Sequence, residues 1–287
     1  MTRVGGWRTR DGLILVGLVL LAIAATFPTW AEIFHQALRN EEDSHILIVV
    51  PIALWLAWLR RGRLRGARPS WSIAGTGLVL AGIALERVGF STSLDVARHG
   101  GVLLTVVGAG VTVIGLDTVK RLFPSFAALA FMIPVPGRVR LEIAGPLQSI
   151  SARIAQGVLD LFGVPVIRSG NALNINGVDV AIAEACNGMR MVAALALIAF
   201  AFIFSVPMRN SVRLIILAAS PVIAVIVNVA RLAPTVLLYG YASESTANLF
   251  HDLSGWAALA VALALLWGLL AILRWIEVRI DPFPVGR

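Results

Sequence analysis

Long apolar stretches recur along almost the whole chain. They occupy residues 12–30, 45–59, 71–90, 100–118, 121–136, 189–207, 211–240 and 255–276. A helix of about 20 apolar residues crosses the hydrocarbon core of a bilayer. With 58% hydrophobic and only 14% charged residues, the chain has too few polar side chains to cover a water-soluble domain. We therefore predict an all-α integral membrane protein with about eight transmembrane helices, forming a single polytopic membrane domain over residues 1–287.

The fifth of these stretches, residues 121–136, differs from the others. It is short and closes on Pro134 and Pro136. Proline removes a helix donor and clashes with the preceding turn. We therefore expect this segment to be tilted, broken or re-entrant.

Basic residues are distributed unevenly over the segments that connect the spans. With the N-terminus placed inside, the inner segments carry 15 of the 24 Lys and Arg residues beside four acidic residues, and the outer segments carry eight basic and twelve acidic ones. An excess of Lys and Arg marks cytoplasmic loops. The pattern predicts that both termini are cytoplasmic. The net charge of +8 is then a topology signal, and the predicted partner is the lipid bilayer and not nucleic acid.

The segment 137–185 is the one sizeable hydrophilic region, and this topology makes it an extracytoplasmic insertion. Apolar residues recur every three or four positions in its first half, which predicts an outward-facing amphipathic helix. They are Ile143, Leu147, Ile150, Ile154, Val158 and Leu161.

A small β-hairpin is predicted in the second half of this insertion, between spans five and six. Asn176-Gly177 separates the short apolar runs 172–175 and 178–182. An Asn-Gly pair suits a two-residue hairpin turn, because both positions adopt positive φ. A lone hairpin is marginal in water, so it must pack on something. It is either a lid over the helices or a strand edge that a substrate peptide joins.

Cys186 lies where the insertion enters the sixth span, and it is the only cysteine. A disulfide within the chain is therefore excluded. A lone cysteine is often a small buried apolar residue. This one lies at the start of a helix, whose dipole favours the thiolate, and Arg190 follows one turn later. The position indicates a nucleophile.

Arg231 lies within the seventh span, with Asn228 three residues earlier on the same helix face. About 18 residues separate Arg231 from Arg213 at the inner end, which places it roughly 27 Å deeper, near the outer edge of the hydrocarbon. An intramembrane arginine is costly and is expected to point into the bundle and to be functional. The alternative is an arginine that extends to the outer interface.

His251 lies at the outer start of the eighth span. In isolation, such a histidine is equally explained as a hydrogen-bonded interfacial anchor. Cys186, Arg231 and His251 together form a workable set, since a thiolate attacks a carbonyl, an imidazole transfers the proton and a guanidinium stabilises the oxyanion. Neither the spacing of the four histidines nor the single cysteine suggests a metal site, and no cofactor is predicted.

Several motifs, in order, resemble those of the exosortase/archaeosortase family of multi-pass membrane cysteine transpeptidases, over most of the chain. The family pattern S-H-G-F is similar to Ser44–Leu47, the pattern F-M-x-P-x-P to Phe131–Pro136, and the pattern E-x-C-S-G-x-R to Glu184–Arg190. The pattern N-x-x-R is similar to Asn228–Arg231, and a late His near Gly is similar to His251 with Gly255. Two positions depart from these patterns. Asn187 replaces the usual serine, and Ile46 replaces a glycine.

The resemblance implies a fold and a function. It implies a prokaryotic cytoplasmic (inner) membrane enzyme with its active site at the periplasmic or extracellular face. Its substrates are exported proteins that end in a Pro-Glu-Pro-like (PEP-CTERM-like) sorting motif, a membrane helix and a basic tail. Cys186 is the implied nucleophile, His251 the acid/base, and Arg231 the group that stabilises the oxyanion or positions the substrate. The implied supporting residues are His45, Glu184, Arg190 and Asn228.

Two other classes of function are compatible with the membrane topology. A multi-pass transporter or binding protein would line a pathway with Arg231 and His251, and it predicts polar residues at mid-depth on several spans, of which there are few. A lipid-directed acyl or glycosyl transferase would use an acidic base. The only dense acidic run is Glu41-Glu42-Asp43.

Overall fold

A computed structural model of the protein describes residues 8–40, 43–64, 69–135, 137–181, 188–206 and 208–275, with the backbone alone for 137–140, 143, 188–191 and 274. The described chain forms two compact units, one within Met1–Pro136 and one within Gly137–Pro282. The helices are α1 (Thr9–Ala25), α2 (Phe27–Arg39), α3 (Ile46–Leu59), α4 (Ile73–Thr92), α5 (Asp95–Arg121), α6 (Phe123–Leu129), α7 (Gly137–Leu161), α8 (Gly188–Ser205), α9 (Asn210–Tyr241) and α10 (Glu244–Trp275).

Four helices are long and apolar enough to cross a membrane, namely α4, α5, α9 and, up to Leu273, α10. The bent pair α1 and α2 raises this number to five. The helices α3, α6 and α8 cover predicted spans, but their apolar parts are shorter. The structure is thus that of a predominantly helical membrane protein, and the number of eight spans and their orientation stay predictions, as does the single domain.

The first predicted span, residues 12–30, is not one straight helix. The axes of α1 and α2 differ in direction by 77°, and Thr26 lies between them with φ −113° and ψ 18°. Pro28 follows two residues later, and it lacks the N–H that would bond to the carbonyl of Ala24. The apolar stretch therefore bends where proline interrupts its hydrogen bonds.

The pair α4 and α5 packs backbone against backbone. Glycines spaced seven residues apart on each helix lie against the backbone of the other helix, at Gly75, Gly82 and Gly89 on α4 and at Gly101 and Gly108 on α5. A Cβ atom added at Gly82 would lie 2.6 Å from the backbone nitrogen of Thr105. Small residues let membrane helices approach this closely.

The helix α5 is broken near its C-terminal end at Gly115, which has φ +73° and ψ 164°. The break leaves the carbonyls of Thr112 and Val113 without helical donors, and the backbone N–H groups of Ser72 and Ser70 bond to them at 3.0 and 3.2 Å. Glycine is needed here because the backbone adopts a positive φ and a Cβ would lie 2.7 Å from Ser70 O.

The second unit combines helices with a small sheet of three strands, β1 (Val166–Ser169), β2 (Ala172–Ile175) and β3 (Val178–Ala181), in the order β1-β2-β3. Both pairs are antiparallel. The predicted hairpin is present as β2 and β3, with Asn176 at φ +52° and Gly177 at φ +78°, as a type I′ turn requires. The strand β1 was not predicted from the sequence, and it is joined to β2 through Gly170 at φ +62°.

Candidate active site

The helix α9 passes through two apolar cores of the second unit. The core of the helix bundle includes Val212, Ile216, Ala224 and Val227 of α9, together with residues of α8 and α10. The second core includes Leu232, Ala233 and Val236 of α9, together with α7 and the sheet. Asn228 and Arg231 lie at the boundary between the two cores. Asn228 and Arg231 therefore form a polar pair on a mainly apolar helix, between the residues of the first core and those of the second.

Arg231 contacts the backbone of α10 next to His251. Its Nη1 atom lies 3.5 Å from the carbonyl oxygen of His251, which also accepts a hydrogen bond of 3.0 Å from Ser254 Oγ. A Cβ atom added at Gly255 would lie 3.1 Å from the same Nη1 atom. The glycine thus leaves the space that the guanidinium occupies against α10.

His251 lies on the face of α10 that packs into the bundle. Buried residues follow it along this face, at Ala258, Ala262, Leu266 and Leu270. Steps of three or four residues place these positions on one side of a helix. The imidazole is 19% exposed. It is therefore anchored by its own helix while its ring stays partly accessible.

Asp252 contacts the imidazole although it is the next residue in the chain. His251 Nδ1 lies 3.3 Å from Asp252 Oδ1, and the carboxylate is 74% exposed. Sequence neighbours on a helix do not normally face each other, so the sequence did not indicate this pair. An Nδ1–H that donates to the carboxylate leaves Nε2 as the ring atom available for proton transfer.

Asn228 is 3% exposed, and its Oδ1 atom has no hydrogen-bond partner in the described part of the chain. It lies one helical turn before Arg231 on α9. A buried amide oxygen without a partner is costly, and such atoms are rare in folded proteins. The amide is thus an acceptor that a bound group can use.

The turn between α9 and α10 fixes the relative positions of these two helices. Tyr239 Oη donates to Asn248 Oδ1 at 2.7 Å, and the hydroxyl of Ser243 accepts from the backbone N–H of Thr246 at 3.3 Å. Only two residues connect the helices, which makes them antiparallel neighbours. Arg231 and His251 are thereby held at the same level of the hairpin.

The other predicted site residues are placed as follows. Glu184 and Cys186 lie outside the described residues. Arg190 is in the first turn of α8, and its side chain is not described. His45 precedes α3 in the first unit, beside the buried Asp43. Of the predicted set, the structure brings together Asn228, Arg231 and His251.

A second polar group, which the sequence analysis did not single out, lies in the first unit. Arg98 pairs with Glu32, and Thr29 Oγ1 donates to Glu86 Oε1 at 2.9 Å. His99 is buried beside Glu32, with 4.0 Å between Nε2 and Oε1. These residues join α2, α4 and α5. The charges of Glu32, Glu86 and Arg98 were the signal that the sequence offered for this group. The signal was missed because these residues were assigned to the segments that connect the predicted spans.

No group of three or more metal-binding side chains occurs among the described residues. Among the described residues, the site contains the guanidinium of Arg231, the imidazole of His251 with the carboxylate of Asp252, and the amide of Asn228. These groups can transfer a proton and stabilise a negative charge.

Comparison with known proteins assigns the chain to a family. The model of the transmembrane exosortase family matches residues 30–268, which include parts of both units and every residue of the site. No curated protein and no solved structure matches the chain. Because the match covers most of its length, this multi-pass membrane protein belongs to the transmembrane exosortase family.

Proposed function

We propose that this protein is a membrane-embedded cysteine transpeptidase or protease. It cleaves a C-terminal, PEP-CTERM-like sorting signal from exported proteins at the outer face of the membrane, through an acyl-enzyme on Cys186. The observation that carries the proposal is the contact between Arg231 and His251 at the polar boundary of α9. It occurs in a chain of the exosortase family whose only cysteine precedes the first residue of the neighbouring helix α8 by two positions in the sequence.

Chain connectivity limits the distance between Cys186 and the first residue of α8. Two peptide units separate Cys186 from Gly188, where α8 begins, so their Cα atoms are at most about 7 Å apart. The helix α8 packs against both α9 and α10. The N-terminal end of a helix stabilises a thiolate. Family membership and this limit on distance together support Cys186 as the nucleophile.

In the first half of the reaction, the thiolate of Cys186 attacks the carbonyl carbon of the scissile peptide bond. The negative charge that develops on the carbonyl oxygen is stabilised by the guanidinium of Arg231. The C–N bond then breaks, and protonated His251 donates a proton from Nε2 to the leaving amine. A thioester on Cys186 results, and the membrane-anchored end of the substrate departs.

In the second half, an acceptor nucleophile attacks the thioester carbonyl. Neutral His251 removes the acceptor's proton at Nε2, while Asp252 accepts from Nδ1–H and stabilises the imidazolium that forms. The C–S bond breaks and regenerates the thiolate. An amine or hydroxyl acceptor makes the reaction a transpeptidation or transfer, and water makes it a hydrolysis.

The supporting residues have narrower roles in this proposal. Asn228 offers its unpartnered Oδ1 to an N–H group of the substrate. Glu184 and Arg190 flank the nucleophile in the chain and hold the segment that carries it. His45 is a supporting residue in this proposal because it belongs to a motif that resembles one of the family's. Asn187 and Ile46 then adjust substrate preference without removing a reacting group.

The proposed location is the prokaryotic cytoplasmic membrane, with eight spans, both termini inside and the segment 137–185 outside. The uneven distribution of basic residues supports this orientation. The substrate's membrane helix then lies beside spans six to eight, with its motif at the outer surface and its basic tail in the cytoplasm.

A transport pathway is less well supported by the second unit. Its bundle core is built from aliphatic side chains at Leu195, Ile216, Ala262 and Leu266, all of which are almost fully buried. The buried hydroxyl of Ser220 in this part of α9 bonds to the carbonyl of Leu217, which Pro221 deprives of its helical donor. The described core on the N-terminal side of Asn228 is therefore mainly aliphatic, and the hydroxyl of Ser220 is used within its own helix.

The test is processing of a reporter that carries the sorting signal, in membranes that contain the wild type, Cys186→Ala or Cys186→Ser. We expect both variants to insert normally and to lose at least about a thousandfold in rate, because the nucleophile is removed. Because the chain has a single thiol, a membrane-impermeant maleimide must label the wild type from outside and not Cys186→Ala. Trapping a thioester with a candidate peptide would complete the test. Full processing by Cys186→Ala would refute the proposal.

A further inference from the structure

The two edges of the β1-β2-β3 sheet differ in what covers them. The residues that flank each two-residue turn form a hydrogen-bonded pair, which is Ser169 with Ala172 in the first turn and Ile175 with Val178 in the second. Hydrogen-bonded and non-hydrogen-bonded pairs then alternate along each strand. The backbone groups of Val166 therefore point away from β2. The Val166 carbonyl accepts a hydrogen bond of 3.3 Å from Gln156 Nε2 of α7. The edge formed by β1 is thus covered by α7 at Val166.

The edge formed by β3 is open in the described part of the structure. By the same alternation, the N–H and C=O groups of Asp179 and Ala181 point away from β2. No described residue bonds to these groups, and no described strand pairs with β3 on that side. An open edge of this kind accepts an additional strand.

The sheet is held firmly on the helix that carries the site. Leu173, Ile175 and Val180 are buried against α7 and α9. Asn176 Nδ2 donates to the carbonyl of Gly240 at 3.0 Å, and a Cβ atom at Gly240 would lie 2.8 Å from the Ile175 side chain. A strand added to β3 would therefore have a defined position relative to α9.

The dimensions fit a peptide that runs from β3 to the reacting groups. Nine residues of α9 separate Arg231 from Gly240, which is about 14 Å along the helix axis. An extended peptide covers this length with about four residues. The chain that continues from Ala181 reaches Cys186 in five residues. Strand edge and nucleophile are thus successive parts of one segment.

We propose that the outer edge of β3 binds the substrate as an additional β-strand, through the backbone groups of Asp179 and Ala181. The occupant is the extended segment of an exported protein that adjoins its scissile bond. This inference rests on the proposed function and specifies how that function selects its substrate. Main-chain hydrogen bonds provide the affinity in this mode, and side-chain contacts provide the selectivity. A Pro-Glu-Pro segment is compatible with strand pairing, because its two prolines, which lack an N–H group, are two residues apart. When the backbone N–H of the Glu points toward β3, both proline nitrogens point away from it.

The protein-side test compares Ala181→Pro with Arg168→Pro in the full-length protein. Each proline removes one outward N–H from an edge strand and leaves the ladder to β2 intact. We expect Ala181→Pro to lower the processing rate at limiting substrate by about tenfold, as for one lost hydrogen bond. Arg168→Pro, on the opposite edge, which α7 covers at Val166, should change it less than twofold. Equal rates for Ala181→Pro and the wild type would overturn the inference, and so would equal losses in both variants.

The substrate-side test keeps the inference falsifiable if Ala181→Pro does not fold. Synthetic peptides with six residues before a Pro-Glu-Pro motif are methylated at one backbone nitrogen at a time and offered to the wild type. Strand pairing predicts losses of about tenfold at alternate positions, including the Glu, and little change between them. A uniform response or none would contradict it. If Cys186→Ala is inactive and this alternation is absent, only the edge proposal fails, whereas an active Cys186→Ala variant refutes the proposed function itself.

Discussion

The pairs α4–α5 and α9–α10 are both antiparallel helix hairpins with two-residue connections, and they pack in opposite ways. In α4–α5, glycines bring the two backbones into direct contact, as at Gly82 against Thr105. In α9–α10, aliphatic side chains separate the helices through most of their length. Arg231 then fills the gap at Gly255.

The difference indicates that the α4–α5 pair contributes mainly to stability, whereas the α9–α10 pair carries the reactive groups. Backbone contact between α4 and α5 leaves no volume for a ligand where the helices touch, and a side chain added at a contact glycine such as Gly82 must push the helices apart. Side-chain contact between α9 and α10 leaves room at one level for a guanidinium, an imidazole and an amide. We therefore expect substitutions in the first pair to change stability and those in the second to change activity.

The largest expected effect is on activity, at Arg231. Arg231→Gln should lower the processing rate by about a hundredfold to a thousandfold, because one stabilising donor is lost from the oxyanion. Thermal unfolding in detergent should change little. The control is Arg213→Gln, near the other end of α9, which should process normally. A rate for Arg231→Gln within threefold of the wild type would remove Arg231 from the mechanism.

The next effect is on stability, at Gly82. Gly82→Val should destabilise the protein by about 3 kcal/mol, because the new side chain overlaps the backbone of α5. It should be seen as a lower unfolding temperature and a lower yield of inserted protein. Gly77→Val on the same helix is the matched control, since a Cβ atom there meets nothing within 4 Å. Equal stability of the two variants would show that the glycine contact does not hold α4 and α5 together.

The smallest effect is expected at Gly255, the glycine of α10 that lies against Arg231. Gly255→Ala places a methyl group 3.1 Å from Arg231 Nη1, so the guanidinium must move by a few tenths of an ångström. We expect a loss in processing rate of several-fold with unchanged unfolding temperature, because small misplacements weaken positioning. Gly268→Ala, farther along α10, has open space and should leave the rate unchanged. A rate loss shared by both variants would point to the helix and not to Arg231.

The sequence predicted local features well where a single physical preference dominates. Asn176-Gly177 indicated the hairpin because positive φ at two successive residues is a strong local requirement. The apolar stretches at α4, α5, α9 and α10 indicated helices of crossing length because lipid accepts little else. Asn228 and Arg231 stood out against the apolar background of α9.

Other features depended on neighbours that are distant in the chain. The seven-residue glycine spacing in α4 acquires meaning only beside the same spacing in α5. The bend at Thr26 was hidden within a continuous apolar stretch, although Pro28 marked it. The pairing of His251 with Asp252 depends on side-chain rotation, which helix periodicity does not describe.

The sequence by itself determined that this chain partitions into a membrane, where its turns lie and which reactive groups it carries. These outcomes follow from hydropathy and backbone preferences, which act over a few residues. The tertiary structure alone decided that Arg231 meets His251 across Gly255, that α7 covers β1 at Val166, and that the outer edge of β3 has no partner strand among the described residues. Such contacts depend on the rotation and level of whole helices and strands, and those are set by packing over the entire interface.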